Sequence, residues 1–167
     1  MTLEEQREVV SQLYLKVGIK PVWDQFVLQD TGVVYDGKQV ALKPDFFKPY
    51  IALHDLAHWL VASDDRKTMI NFGLGCAPHV SERHLTTPVV IASCVDHEES
   101  LASMLNAILA QQLFGEGSEV VDSLALITSS HNSKDEYYLW LLLDELKVRG
   151  FVNDESKVQL VHNQPEV

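Results

Sequence analysis

The sequence predicts a mainly α-helical single domain with one short β-hairpin. Three observations predict it. The 167 residues fit one domain. Apolar residues recur at helical spacing over most of the chain. One Asp-Gly pair, flanked by β-favouring runs, marks a single hairpin. The apolar share of 46% and charged share of 22% are those of a globular chain. Folding at this size buries roughly 68–70% of the unfolded surface, enough for a core without staples. Gly and Pro are scattered, so no linker divides residues 1–167, and a polar tail is expected from about 155.

Residues 3–17 form the first expected helix, with Val10, Leu13, Tyr14 and Val17 on one stripe and Gly18 as its stop. Residues 33–42 read as the hairpin. Asp36-Gly37 favours a type I′ turn, in which both central residues take positive φ. After Pro44, a second helix is expected over 46–63. Asn71-Phe72-Gly73 then opens a loop that continues to about 93, in which Gly73-Leu74-Gly75 reads as a tight turn because no Lys follows it. A third helix is expected over 96–114, with Asp96 as N-cap, Glu98 and Glu99 favouring its positive end, and Gly115 as the stop. Further helices are expected over 117–129 and 134–149. In the last of these, Tyr137-Tyr138, Trp140 and Leu141-Leu142-Leu143 form an apolar run suited to the core, or to a partner where it is exposed.

Charge narrows the function. Asp plus Glu number 24 against 13 Lys plus Arg, a formal charge of -11. A nucleic-acid module needs clustered Lys and Arg, and anionic lipid needs the same, so neither partner is expected. No apolar stretch approaches the roughly 20 residues of a membrane span, and the acidic start Met1-Thr2-Leu3-Glu4-Glu5 is unlike a signal peptide. With Cys76 and Cys94 read as reduced thiols, a cytoplasmic location is expected. Pairing Cys94 with His97 as a nucleophile lacks an orienting third group.

The chemistry gathers on the second helix. His54 and His58 are four residues apart and project from one face, one turn apart. Phe47, Ile51, His54, His58 and Val61 step by alternating fours and threes, so both imidazoles interrupt the stripe that should face the core. Seven histidines would produce about a quarter of one such pair by chance, so placement on the stripe carries more weight than the spacing itself. Buried imidazoles need partners, and one metal ion satisfies both.

A third ligand is needed, and Asp96-His97-Glu98-Glu99 offers it. Glu98 lines up with Leu101, Leu105, Ile108 and Gln112, whereas Glu99 shares a stripe with Ala102, Leu109 and Leu113. Either carboxylate completes a zincin-like site or the two-His, one-carboxylate triad of non-haem iron enzymes. His97 is a further candidate, while His79 and His84 sit in a polar loop. Asp55 occupies the general-base position of an HExxH helix, one methylene shorter than Glu. There it could take a proton from a water acidified by the metal, or serve only as a supporting carboxylate. His54-Asp55 also reads as the doublet of HD-domain phosphohydrolases. Those need a further upstream histidine, and His54 is the first in the chain.

His54, Asp55, His58, Trp59, Arg66, Asn71-Phe72-Gly73 and Pro78 together resemble the elongation factor P hydroxylase family. In that family a helix carries HExxHW, followed by an arginine, a (D/N)-(F/Y)-G triplet and a proline. The spacings match from His54 to Pro78, about 25 residues, and about 60 when Glu98–Leu105 is set against the acidic opening of the family's next helix. Asp55 departs from the family's Glu. The resemblance implies a metal-dependent, iron-preferring enzyme that uses oxygen on a modified lysine of a translation factor. His54 and His58 would be ligands, with Glu98 or Glu99 as the third. A zinc peptidase or hydrolase is the alternative metalloenzyme. A non-catalytic adaptor or inhibitor that keeps a degenerate site is the alternative outside enzymes.

Overall fold

The computed structural model describes residues 1–26, 33–44, 49–74, 89–115 and 136–159. Helix α1 (Leu3–Lys16) starts on a reciprocal cap: Thr2 Oγ1 accepts from the Glu5 N–H, and the Glu5 carboxylate accepts from the Thr2 N–H. It stops where Gly18 turns to φ 84°. There Ile19 N–H donates to the Tyr14 carbonyl and Gly18 N–H to that of Leu15, so the final carbonyls are satisfied by a left-handed cap.

Three short strands follow. β1 (Lys20–Trp23) pairs in parallel with β3 (Gln39–Leu42), and β2 (Val33–Tyr35) pairs antiparallel with β3, in the order β1-β3-β2. The expected hairpin is therefore present, but two features differ from expectation. Positive φ falls on Gly37 alone and not on Asp36 or Lys38, which meets the requirement of a type II′ turn and not of type I′. The Asp36 carboxylate accepts from the Lys38 and Gln39 N–H groups, a role only a non-glycine turn residue can play. The strand β1 was not foreseen. It is four residues long and contains Pro21, which an edge strand tolerates but which hides it from pattern reading.

Helix α2 (Pro49–Val61) packs chiefly on α3 (Ala92–Phe114), and also on α1 and β2. The Tyr14 hydroxyl donates to the Ala52 carbonyl, and Arg149 Nη2 donates to the Val61 carbonyl at 3.0 Å, which serves a terminal carbonyl of α2. Helix α3 begins a full turn earlier than expected. Its N-cap is Ile91, and Asp96 lies inside the helix, where its carbonyl accepts from Ser100 Oγ. Nothing between Ile91 and Asp96 breaks a helix, and the helix runs through this stretch, with Ser93 and Cys94 exposed, upstream of the favoured cap. Glu98 and Glu99 consequently lie beyond the first turn, and affinity for the helix dipole does not account for them.

The chain between α2 and α3 turns through two short 3-10 segments, Arg66–Thr68 and Ile70–Gly73. Helix α4 (Glu136–Val148) ends at Gly150, again with positive φ, and buries Leu142 and Leu146 while Trp140 and Leu141 stay exposed. Past α4 the chain turns back. Val152 bridges to Val158, which is buried and donates its N–H to Gln112 Oε1 at 2.9 Å, so the stretch read as a tail from 155 rejoins α3 first. Among the described residues one hydrophobic cluster draws on all four helices and the sheet. The helix expected over 117–129 lies outside them, as do Cys76, Pro78, His79 and His84 and the side chains of Phe47, Ile51, Tyr137 and Tyr138. Among the described residues no helix is long and apolar enough to cross a membrane.

Candidate metal centre

Leu53, Leu56, Ala57 and Leu60 are buried on α2, and Leu101, Ala102, Leu105 and Leu109 on α3. Interlocking these apolar faces brings His54 and His58 against the second turn of α3. His58 is 3% exposed, while the His54 side chain is 22% exposed and that of Glu99 42%. The centre is thus anchored in the core at His58 and open to solvent along the edge made by His54 and Glu99.

Three donor atoms converge there. The two Nε2 atoms lie 3.0 Å apart, and Glu99 Oε2 lies 3.0 Å from that of His58 and 3.2 Å from that of His54. The rings meet edge to face, at 87° with centroids 4.6 Å apart, so both nitrogens aim at a common point. Two imidazole nitrogens at this distance share at most one proton between them. A cation satisfies all three donors at once, and His54, His58 and Glu99 form a group that could hold a metal ion. Donors about 2.1 Å from one cation lie about 3.0 Å apart at right angles and about 3.4 Å apart at the tetrahedral angle. Two of the observed spacings equal the first value, and the third, 3.2 Å, lies midway between the two.

The electrostatics suit the same role. Burial disfavours a charged His58, but the Glu99 carboxylate outweighs it, helped by Asp55 and Glu98, and holds the His58 pKa above its ordinary value. Burial likewise works against charge on Glu99, yet the adjacent imidazoles hold its carboxyl well below the usual range. Without metal, the pair is an ion pair whose proton a cation would displace.

The other sequence candidates are placed apart from this group. Glu98 faces Arg66, which donates from Nη2 at 2.6 Å and from Nη1 at 3.1 Å, a two-pronged pair with both side chains largely buried. Of the two adjacent glutamates, only Glu99 reaches the histidines. His97 is on the surface, 2.7 Å from Glu145. Cys94 is an exposed free thiol. Asp55 is not among the converging donors, which an HD doublet would require of it. Its Oδ2 is buried without a hydrogen-bond partner among the described residues, and burial pushes its carboxyl up against the lowering influence of both histidines. The hydroxyl of Tyr14 is also held protonated, by burial and by the nearby charge of Asp55.

Phe72 belongs to the surroundings of the centre and was not singled out as a functional residue. Its ring stacks on Tyr35, with centroids 4.4 Å apart, and on His58, with centroids 5.6 Å apart and planes at 19°. Its place in the Asn71-Phe72-Gly73 triplet was the available signal. Comparison of the chain with protein-family models, with curated proteins and with solved structures gives no match.

Proposed function

We propose that the chain is a metal-dependent enzyme holding one divalent ion on His54, His58 and Glu99, with iron as the metal and hydroxylation as the reaction. The observation that carries this reading is the triangle of two imidazole nitrogens and one carboxylate oxygen, 3.0 to 3.2 Å on each side, at the edge of the core. Two histidines and one carboxylate are the donor set of non-haem iron oxygenases. His54, His58 and Glu99 would hold such an ion through three atoms at the edge of the core, where His54 and Glu99 are partly exposed. Iron held there supplies the activation of oxygen that a hydroxylation needs.

The chain's own residues divide the remaining work. His58 anchors the centre in the core, and Phe72 keeps water from one face of its ring. The partly exposed edge at His54 and Glu99 admits the substrate. The resemblance of the His54–Pro78 stretch to the elongation factor P hydroxylase family supports a translation factor carrying a modified lysine as that substrate.

One observation favours a second reading. Asp55 adjoins His54, has one buried oxygen without a partner among the described residues, and has its carboxyl pushed upward, as a proton-transferring group requires. In a zinc hydrolase it would take the proton of the attacking water. The two readings separate on protein stripped with chelator and reloaded with either iron or zinc. Iron-loaded protein with oxygen should add one oxygen atom to the modified lysine, read by mass spectrometry, and the His54→Ala, His58→Ala variant should add none. Peptide cleavage by the zinc form, with an inert iron form, would favour the hydrolase. Inertness of both forms would favour a non-catalytic adaptor.

A further inference from the structure

Asn71, Phe72 and Gly73 all take left-handed backbone, with φ of 47°, 58° and 71°. Gly adopts this conformation freely and Asn tolerates it, but a bulky aromatic residue is there only when its surroundings hold it. Phe72 is nevertheless 2% exposed, and its ring is sandwiched between Tyr35 and His58. The Tyr35 hydroxyl donates to the Lys67 carbonyl, and Val89 N–H donates to that of Gly73 at 2.8 Å.

Arg66 is the hub of this segment. Its Nε donates to Ser63 Oγ at 3.1 Å, just past the end of α2. Its Nη1 donates to the Phe72 carbonyl at 3.0 Å, and Nη1 and Nη2 together grip Glu98 on α3. One guanidinium thus joins the segment just after the helix that bears the histidines, the turn that bears Phe72, and the residue next to Glu99. A metal-bound imidazole ordinarily has its plane set by a hydrogen bond from its other nitrogen. Nδ1 of His58 is buried and has no such partner among the described residues. The nearly parallel Phe72 ring is the contact that can set that plane.

We propose that Arg66 is a positioning residue for the metal centre: pinned on Glu98, it holds Phe72 in its left-handed turn so that the Phe72 ring fixes the His58 imidazole. This rests on the reading of His54, His58 and Glu99 as metal ligands. The side chain acts through Phe72 and touches neither metal nor substrate.

The test titrates Co(II) into the chelator-treated full-length chain and follows visible absorption, with far-UV circular dichroism as the control for folding. Arg66→Lys keeps the charge but loses the fork and the bond to the Phe72 carbonyl. Phe72→Leu keeps an apolar side chain but loses the stacking. Each should retain helix, bind Co(II) about ten- to a hundredfold more weakly and shift the visible bands. The double variant should be no weaker than the weaker single, because the two residues act as one unit. Wild-type affinity and spectrum in both singles would overturn the proposal, as would multiplication of their effects in the double. If Arg66→Lys fails to fold, Glu98→Gln with Phe72→Leu carries the same comparison. If the wild type shows no Co(II) bands that His54→Ala removes, the metal reading itself fails, an outcome distinct from equal binding by wild type and variants.

Discussion

Glu98 and Glu99, adjacent on α3, are claimed by different partners: Glu98 by the Arg66 guanidinium at 2.6 Å, Glu99 by the His58 imidazole at 3.0 Å. One carboxylate ties α3 to the turn after α2, and the other completes the donor triangle. Single substitutions should separate them. Glu98→Ala leaves a largely buried guanidinium charge uncompensated and should cost about 3 kcal/mol in urea unfolding. Glu99→Ala removes a more exposed group and should cost about 1 kcal/mol, yet it should abolish metal retention.

The His58–Glu99 pair sets a pH signature for chelator-treated protein. The His58 pKa is raised, so its contribution is complete below the unfolded value near 6.5 and is lost as pH rises through the folded value. The Glu99 pKa is lowered, so its contribution is present above the unfolded value near 4.5 and is lost as pH falls through the folded value. The pair therefore supports the fold most between about pH 4.5 and about 6.5. Urea midpoints measured across pH should show this maximum, and His58→Ala should flatten it. Metal uptake, which requires a neutral His58, should release a proton and weaken as pH falls.

Asp55 titrates in the opposite sense to Glu99. Its folded pKa is raised, so its charged form burdens the fold at neutral pH, and the burden is relieved only as the group protonates. Asp55→Asn should therefore raise the stability of the metal-free chain at neutral pH, by on the order of 1 kcal/mol. In the hydroxylase reading turnover should survive the change, whereas in the hydrolase reading it should fall steeply. Urea unfolding and a turnover assay on the same preparation check both halves.

Gly37 marks where the hairpin meets the 3-10 segment. Its φ is 100°, and an added Cβ would lie 2.4 Å from the Thr68 carbonyl oxygen, a backbone atom with little room to retreat. Gly37→Ala should destabilise the chain by about 2 kcal/mol or more, read as a lowered midpoint of thermal unfolding.

The elements that sequence reading located are those with a local cause. The pairing of His54 with His58 follows from helical period alone, although the buried face of α2 also carries Leu53, Leu56, Ala57 and Leu60 and leaves His54 at its edge; the hairpin follows from Asp36-Gly37 between β-favouring runs. The choice between Glu98 and Glu99 has no local cause. Adjacent residues on a helix differ by about 100°, both lie beside apolar stripes, and only the packing of α3 on α2 selects one. The start of α3 was misread because Asp96 is the better cap, yet Ala92–Val95 carry no helix breaker and the helix already runs through them, with Ser93 and Cys94 exposed. Phe72 in a left-handed turn contradicts its own backbone preference, so beyond the Asn71-Phe72-Gly73 triplet the sequence carries no sign of its place, which brings Arg66, Tyr35 and His58 together in the folded chain.

Metal content measured by elemental analysis on protein purified without added metal is the most direct test of the centre at His54, His58 and Glu99. Wild type should carry close to one iron or zinc ion per chain, and the folded His54→Ala, His58→Ala variant should carry none. Equal trace metal in both would contradict the centre.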